Sequence, residues 1–465
     1  MRGSAPAFAL AVVSALGLAA SVFVNWPGHF PPDAITQLAQ GRAGVFNLWH
    51  PPVMAWLLGL ADRGAPDAPA FFVMDAALFF GGLTALTLAG GVRWAGVAAT
   101  AVLCASPLVL IYQGLVVKDV LFADASLAAF AAIAWAGKLW PKVWARLALA
   151  VAAVALLTLA ALVRQNGVMV AGVGALTLGC VAWRAEPAGG KRARTLAITT
   201  LVALLGMGGA FALARQAFEA RSDHQPEVAR QWMMLQIYDL AGADRRDPTL
   251  TFPILHARAP SLERFIRGEA APAYDPTRVD PISHLKDGAR VVKTPSPWVA
   301  AQWRQLMTAS PALYLATRGE AFWQVLATPD VQACAPVFVG VDPGDPAMLR
   351  RAGLVARETD QDDWDGDYAT AFLGTPVFSH LASAALAIML LVLAVRGLRR
   401  GGGAHLIAVA GLLTGSLAFA ASFFVVSIAC DFRYLYFLDV AAMAALVQRI
   451  ALWRPELRWW RQRPG

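Results

Sequence analysis

The 465-residue chain is 58% hydrophobic and 15% charged, with a mean hydropathy of +0.53, whereas soluble globular proteins carry about 25% charged residues. That balance excludes an ordinary soluble enzyme and implies a polytopic membrane protein. The net charge of +8 is no sign of a nucleic-acid partner: residues 215–376 hold 17 basic and 21 acidic residues and the remainder 22 and 10, so the basic excess lies in the membrane part, where topology explains it.

Residues 5–24 are apolar and long enough to span a bilayer, and no processing site is evident. The stretch Asn25 to Pro52 then breaks the pattern with five prolines, Asp33, His29 and His50. Pro31-Pro32 stops the preceding helix, and Asp33 is placed to accept bonds from the first free N–H groups of a turn. A short amphipathic helix is predicted from Asp33 to Gln40, ending at Gly41. His50-Pro51-Pro52 leads into the apolar run Val53 to Leu60, too short to span and predicted to rest on the surface or re-enter. The plain alternative for this whole stretch is a punctuated loop between membrane helices.

Further spans are predicted near 69–90, 95–113, 119–137, 145–163, 167–183, 195–214, 377–396, 404–428 and 432–452, about ten in all. Ten spans put both termini on one side. Arg93, Lys138 to Arg146, Arg184 to Arg194, Arg396 to Arg400 and Arg454 to Arg463 then share a face with Arg2, while the opposite short loops hold only Arg42, Arg63, Lys118, Arg164 and Arg433. By the positive-inside rule the first face is cytoplasmic and the chain sits in the inner (plasma) membrane. The fold class is mainly α: a membrane bundle at 1–214 with a first outer loop at 25–68, an extracytoplasmic insert at 215–376, and C-terminal helices with a cytoplasmic tail at 377–465.

In the insert, Ser296-Pro297 and Ser310-Pro311 read as helix caps followed by proline in the first turn, the second helix running through Tyr314, Arg318 and Phe322 to near Pro329. Asp342 to Asp367 reads as an exposed acidic loop. No catalytic motif stands out, and the insert is expected to cover the outer mouth of the bundle.

Under this topology the unusual polar residues gather on the outer side. These are Asp33 and His50 in the first loop, Lys118-Asp119 at the start of the fourth span, Arg164-Gln165-Asn166 between the fifth and sixth, and Asp431, Arg433 and Tyr434 between the ninth and tenth. Charges at membrane depth are costly and are usually paired or functional, so a shared polar cavity is expected. The plainer readings are a helix-cap acid beside an interface anchor at Lys118-Asp119, and headgroup snorkelling by Arg164 and Arg433. Asp75 and Asp124 are either interhelical partners or cavity acids, and Asp439 is read as structural. Trp26, Trp49, Trp56 and Trp94 read as belt aromatics, and Trp453 to Arg461 as an interfacial anchor. No Walker loop, GxSxG, HExxH or CxxC occurs, which leaves ATP hydrolysis, serine-hydrolase and zincin chemistry unsupported.

The acid just after the first span, the surface-helix pattern and the His-Pro-Pro turn resemble the GT-C superfamily of membrane glycosyltransferases, in particular bacterial relatives of protein O-mannosyltransferases and the lipid A aminoarabinose transferase. The resemblance covers 1–214 and, more loosely, 377–452. Asp33 matches the acidic position of that family's first outer loop and stands alone before His50, where many relatives carry two acids. The resemblance implies a sugar carried on a polyprenyl phosphate and a lipid or glycan acceptor. It implies Asp33 as base, with His50 binding the acceptor or standing in for a second acid. Arg164 and Arg433 become phosphate clamps assisted by Lys118 and oriented by Asp119 or Asp431. No cofactor is indicated, and the sequence does not support a divalent metal. The competing classes are a lipid-linked-sugar flippase, which would show repeated half-helices and a site open to both faces, and a glycan polymerase or ligase.

Four cysteines complete the reading. Cys104 and Cys180 fall in spans and read as small buried apolar residues. Cys334 and Cys430 both face the oxidising side, where a disulfide would tie the insert to the turn carrying Asp431 and Arg433; the alternative is two unpaired thiols.

Overall fold

The computed structural model describes residues 4–187, 189–223, 227–292, 294–341 and 346–453. The chain is a helix bundle in which nine helices among the described residues are long and apolar enough to cross a membrane, and a bent pair supplies a tenth. The described residues form isolated β-bridges but no strand. Its centre is α6 (Lys118–Lys138), where 15 of 21 residues are buried. Around it pack α4 (Pro69–Gly90), α7 (Val143–Val163), α8 (Gly167–Ala185), α15 (Ala404–Val426) and α16 (Tyr436–Leu452). α1 (Ser4–Val24), α5 (Trp94–Cys104), α9 (Arg192–Glu219) and α14 (His380–Arg399) form the outer ring. Helices with exposed Phe, Leu and Val along their length, such as α1 and α9, present them to lipid.

The predicted span at 95–113 is broken. α5 and the following Pro107–Gly114 segment meet at a bend of 71°. Ser106 is extended (φ −64°, ψ 136°) ahead of Pro107, because the proline ring disfavours helical geometry in the residue before it. The surface helix also differs: α2 runs Pro32–Ala43 and stops at Gly44, which adopts φ +69°. Gly41, expected to end it, instead meets the backbone of Gly59 in α3 (Pro52–Asp62), where a Cβ would collide with Ala55 O. Asp33 makes no capping bond; proline at the first helical position leaves little need for one.

Between α9 and α14 the chain forms two bodies of core. One is an apolar cluster of its own, built from Tyr238, Leu240, Phe252, Phe265 and Tyr274 around α10 (Glu227–Arg246). It is closed by α11 (Pro297–Ala309) and α12 (Pro311–Ala327). Proline occupies the first turn of both helices, but neither Ser296 nor Ser310 makes a side-chain cap bond. The other half, with Val325, Cys334, Val341, Leu349 and Phe378, merges with the membrane core.

The acidic stretch expected to be an exposed loop folds here. Pro346–Ala352 and α13 (Asp360–Thr370) are helices, the second started by a reciprocal capping box between Thr359 and Asp362. Asp362 and Asp365 turn inward against His29. Residues 342–345 of that stretch, Arg2 and the tail from 454 lie outside the described residues.

Candidate active site

Four helices begin around one cavity of about 360 Å³: α2 at Pro32, α6 at Lys118, α8 at Gly167 and, through a 3-10 turn at Phe432–Leu435, α16. A helix start presents free N–H groups and the positive end of the helix dipole, so this arrangement favours an anion. Each start follows a break that sequence explains: Pro31-Pro32, the extended Val117, the Arg164-Gln165-Asn166 turn and the Asp431 turn.

The side chains form one connected network. Lys118 Nζ lies 2.8 Å from His50 Nδ1, and His50 Nε2 lies 3.4 Å from Asp33 Oδ1. With Lys118 donating to Nδ1, the histidine carries its proton on Nε2, facing Asp33. The other oxygen of Asp33 accepts from Arg433 Nη2 at 2.8 Å. Arg433 also donates through Nε to Asp431 (2.8 Å), whose carboxylate accepts the backbone N–H of Arg433 as well. Arg164 is paired with the buried Asp119, which lies 4.0 Å from Arg433 Nε. The Arg164 guanidinium is framed by the rings of Phe419, Phe423 and Tyr434 at 5.5–5.6 Å, a setting that holds a cation and fixes its plane.

Burial would raise the Asp33 carboxyl, but Arg433, then His50 and Lys118, hold it well below the usual carboxylate range. His50 is likewise pushed below the value of a free imidazole, first by burial and then by Lys118, which keeps it neutral. The site is therefore poised with an ionised acid, a neutral imidazole and cations on the same wall.

Of the residues singled out from sequence, Asp33, His50, Lys118, Arg164, Gln165, Asn166, Arg433 and Tyr434 line this cavity. Asp119 and Asp431 do not line it; they sit behind it and hold Arg164 and Arg433. Gln165 donates to Gln231 of α10 at 2.8 Å, and Asn166 to Ser422 of α15 at 2.9 Å. Cys334 and Cys430 are joined in a disulfide, so the segment ahead of α13 is tied directly to the turn preceding Asp431.

Sequence reading missed the far wall. Gln231, Met234, Leu235, Val279 and Asp280 close the cavity from the α10 side. Asp280 adopts φ +50° and accepts from Tyr238 Oη at 2.5 Å; left-handed non-glycine residues at a cavity edge are worth attention because their strain needs support. The Asp280-Pro281 pair was the only signal, and it reads as a turn. Trp49 is not a belt aromatic: it is half-buried, lines the cavity and packs on the α10 cluster, while Trp26, Trp56 and Trp94 stay exposed. Among the described residues, no group of three or more His, Cys, Asp or Glu is arranged to hold a metal ion.

The sequence matches no family model and no curated protein. Among solved structures, the chain is similar to the crystal structure of ArnT from Cupriavidus metallidurans in the apo state, at 13% identity and a TM-score of 0.33, over 95% of this chain and 76% of that one. A likeness that low carries no argument about the reaction.

Proposed function

We propose that this chain is a membrane glycosyltransferase that moves a sugar from a polyprenyl-phosphate donor to a lipid or glycan acceptor at the outer face of the membrane. The observation that carries the reading is the convergence of Lys118, Arg164, Arg433 and four helix starts on a cavity that also holds Asp33 and His50. Cations on a preorganised wall stabilise a leaving phosphate, and a carboxylate takes the proton of an attacking hydroxyl or amine.

The resting pair between Asp33 and Arg433 supports the following order of events. A donor phosphate on Arg433 competes with Asp33 for the same guanidinium, and a carboxylate released from that pair becomes a better base. The acceptor atom then attacks the anomeric carbon, the bond from that carbon to the phosphate oxygen breaks, and polyprenyl phosphate leaves with the electron pair. The acceptor's proton passes to Asp33, with His50 beside it as orienting partner. One displacement inverts the anomeric centre.

The test is incubation of the purified full chain with labelled polyprenyl-phosphate sugars and membrane lipid extract. Release of polyprenyl phosphate together with labelled product is expected. Movement of the intact labelled lipid across vesicles without bond cleavage would replace the enzyme reading by a flippase.

A further inference from the structure

At the end of the bundle opposite the cavity lies a second, chemically different recess. It is a crevice of about 450 Å³ between α8, α14 and α15, lined by apolar and small side chains such as Leu176, Leu398, Ile407 and Ala410. Arg184, Arg399 and Trp183 stand at its mouth. α15 has 23 residues, so its two ends, one at each recess, lie about 34 Å apart. The crevice is therefore no part of the candidate active site.

Its charges are unbalanced. Both arginines are exposed, and among the described residues neither has a carboxylate partner. Arg184 Nη2 reaches only the Gly402 carbonyl, at 3.4 Å. A third cation, Arg192, stacks on Trp183 with its guanidinium 5.4 Å from the ring. An arginine at a bilayer interface ordinarily needs nothing more than headgroups and water. Two of them converging on the mouth of an apolar recess between spanning helices make a more specific shape: hydrocarbon below, paired cations above. We propose that this crevice is a binding site for one anionic glycerophospholipid, an acyl chain lying along Leu176, Ile407 and Ala410 and the headgroup phosphate resting on Arg184 and Arg399. Charge complementarity selects the occupant, since basic pockets between spanning helices suit anionic headgroups and guanidinium holds phosphate oxygens in paired bonds. A zwitterionic lipid offers the same chains, but its own cation opposes the arginines.

The experiment uses the delipidated full chain in detergent, with native mass spectrometry and melting temperature read during titration with phosphatidylglycerol or phosphatidylcholine of identical chains. Wild type is expected to bind phosphatidylglycerol about tenfold or more tightly than phosphatidylcholine, and to be stabilised by it alone. The double variant Arg184→Gln/Arg399→Gln should bring the two lipids level, and Ala410→Phe, which fills the crevice and keeps the arginines, should also lose the tight phosphatidylglycerol. Equal binding of the two lipids by wild type, which needs no variant to fold, overturns the proposal. So does a preference that survives either substitution, or displacement of phosphatidylglycerol by inorganic phosphate alone, which would mark a plain anion site without a chain.

Discussion

Asp33 is held by Arg433 at 2.8 Å and His50 at 3.4 Å, yet Arg433 keeps a second carboxylate in Asp431. Removing the charge of Asp33 therefore leaves Arg433 still paired, so the proposed role of Asp33 in chemistry can be read apart from any role in folding. Asp33→Asn is expected to lower transfer by about 10²-fold or more, the usual contribution of a positioned base, with a melting temperature within a few degrees of wild type. Loss of activity only in step with stability would reduce Asp33 to a structural partner of Arg433. The two arginines should respond differently to a charge-preserving change. Arg433 reaches Asp33 and Asp431 through separate nitrogens, a forked geometry that lysine cannot copy. Arg433→Lys is expected to weaken donor binding at least about tenfold in a titration with labelled polyprenyl phosphate, roughly the loss of one charge-assisted bond. Arg164→Lys should do less to binding and more to stability, since its partner Asp119 is 2% exposed and its plane is set by three rings. Unchanged binding in both variants would remove the clamp.

At the scale of elements, the segment joining α1 to α2 is pinned by His29, four residues before Asp33. Its Nδ1 accepts the Gly340 N–H at 2.9 Å and its Nε2 faces Asn25 Oδ1 at 3.0 Å, so the imidazole is neutral. Asn25 in turn donates to Ser21 O and Leu110 O, both at 2.6 Å. Arg357, Asp362 and Asp365 face this histidine from the other side. Asp365 is fully buried with both oxygens unbonded, and burial, reinforced by Asp362, pushes its carboxyl up to about 7. A carboxyl raised on folding binds its proton more tightly in the folded state, so its contribution is fully present only below the ordinary carboxyl value of about 4 and is lost progressively as pH rises to the folded value. The melting temperature should thus fall between about pH 4 and pH 7 and level off above that, and Asp365→Asn should flatten that slope. An equal slope in the variant would show that Asp365 does not carry it. None of this pairing was legible in sequence, because His29 and α13 lie more than 300 residues apart and an Asp-rich run reads as solvated. The spans were legible because apolar length is a strong, local signal. The break at Ser106-Pro107 could have been read from the proline alone. The cations of the cavity were visible as charges at span ends, whereas Gln231 and Asp280 were not, since only tertiary packing brings α10 over the bundle.

Taken as a whole molecule, the cavity is a joint between two bodies, the membrane bundle that supplies the cations and the segment from Gln231 to Asp280 that supplies the far wall. What holds them in register is only partly apolar packing. Arg318 of α12, 1% exposed, donates to Asp239 at 2.8 Å and to the Phe424 carbonyl of α15 at 2.9 Å. Cys430 N donates to Pro276 O at 2.9 Å, and the Cys334–Cys430 bond closes a separation of 96 residues immediately before Asp431. A loop of that length gives an ideal chain-entropy stabilisation of about 4–5 kcal/mol, an upper figure because strain and residual unfolded structure reduce it. Its sharper effect is local, since it fixes the turn whose next charged residues are Asp431 and Arg433. Labelling the unfolded protein with a thiol reagent should find two thiols, Cys104 and Cys180, without reductant and four with it. Reduction of the folded protein should lower the melting temperature and weaken donor binding together, as the Asp431 turn loses its tether to the segment ahead of α13. Four thiols in the absence of reductant would show that the bond does not form, and with it would go the argument that this end of the bundle faces an oxidising compartment.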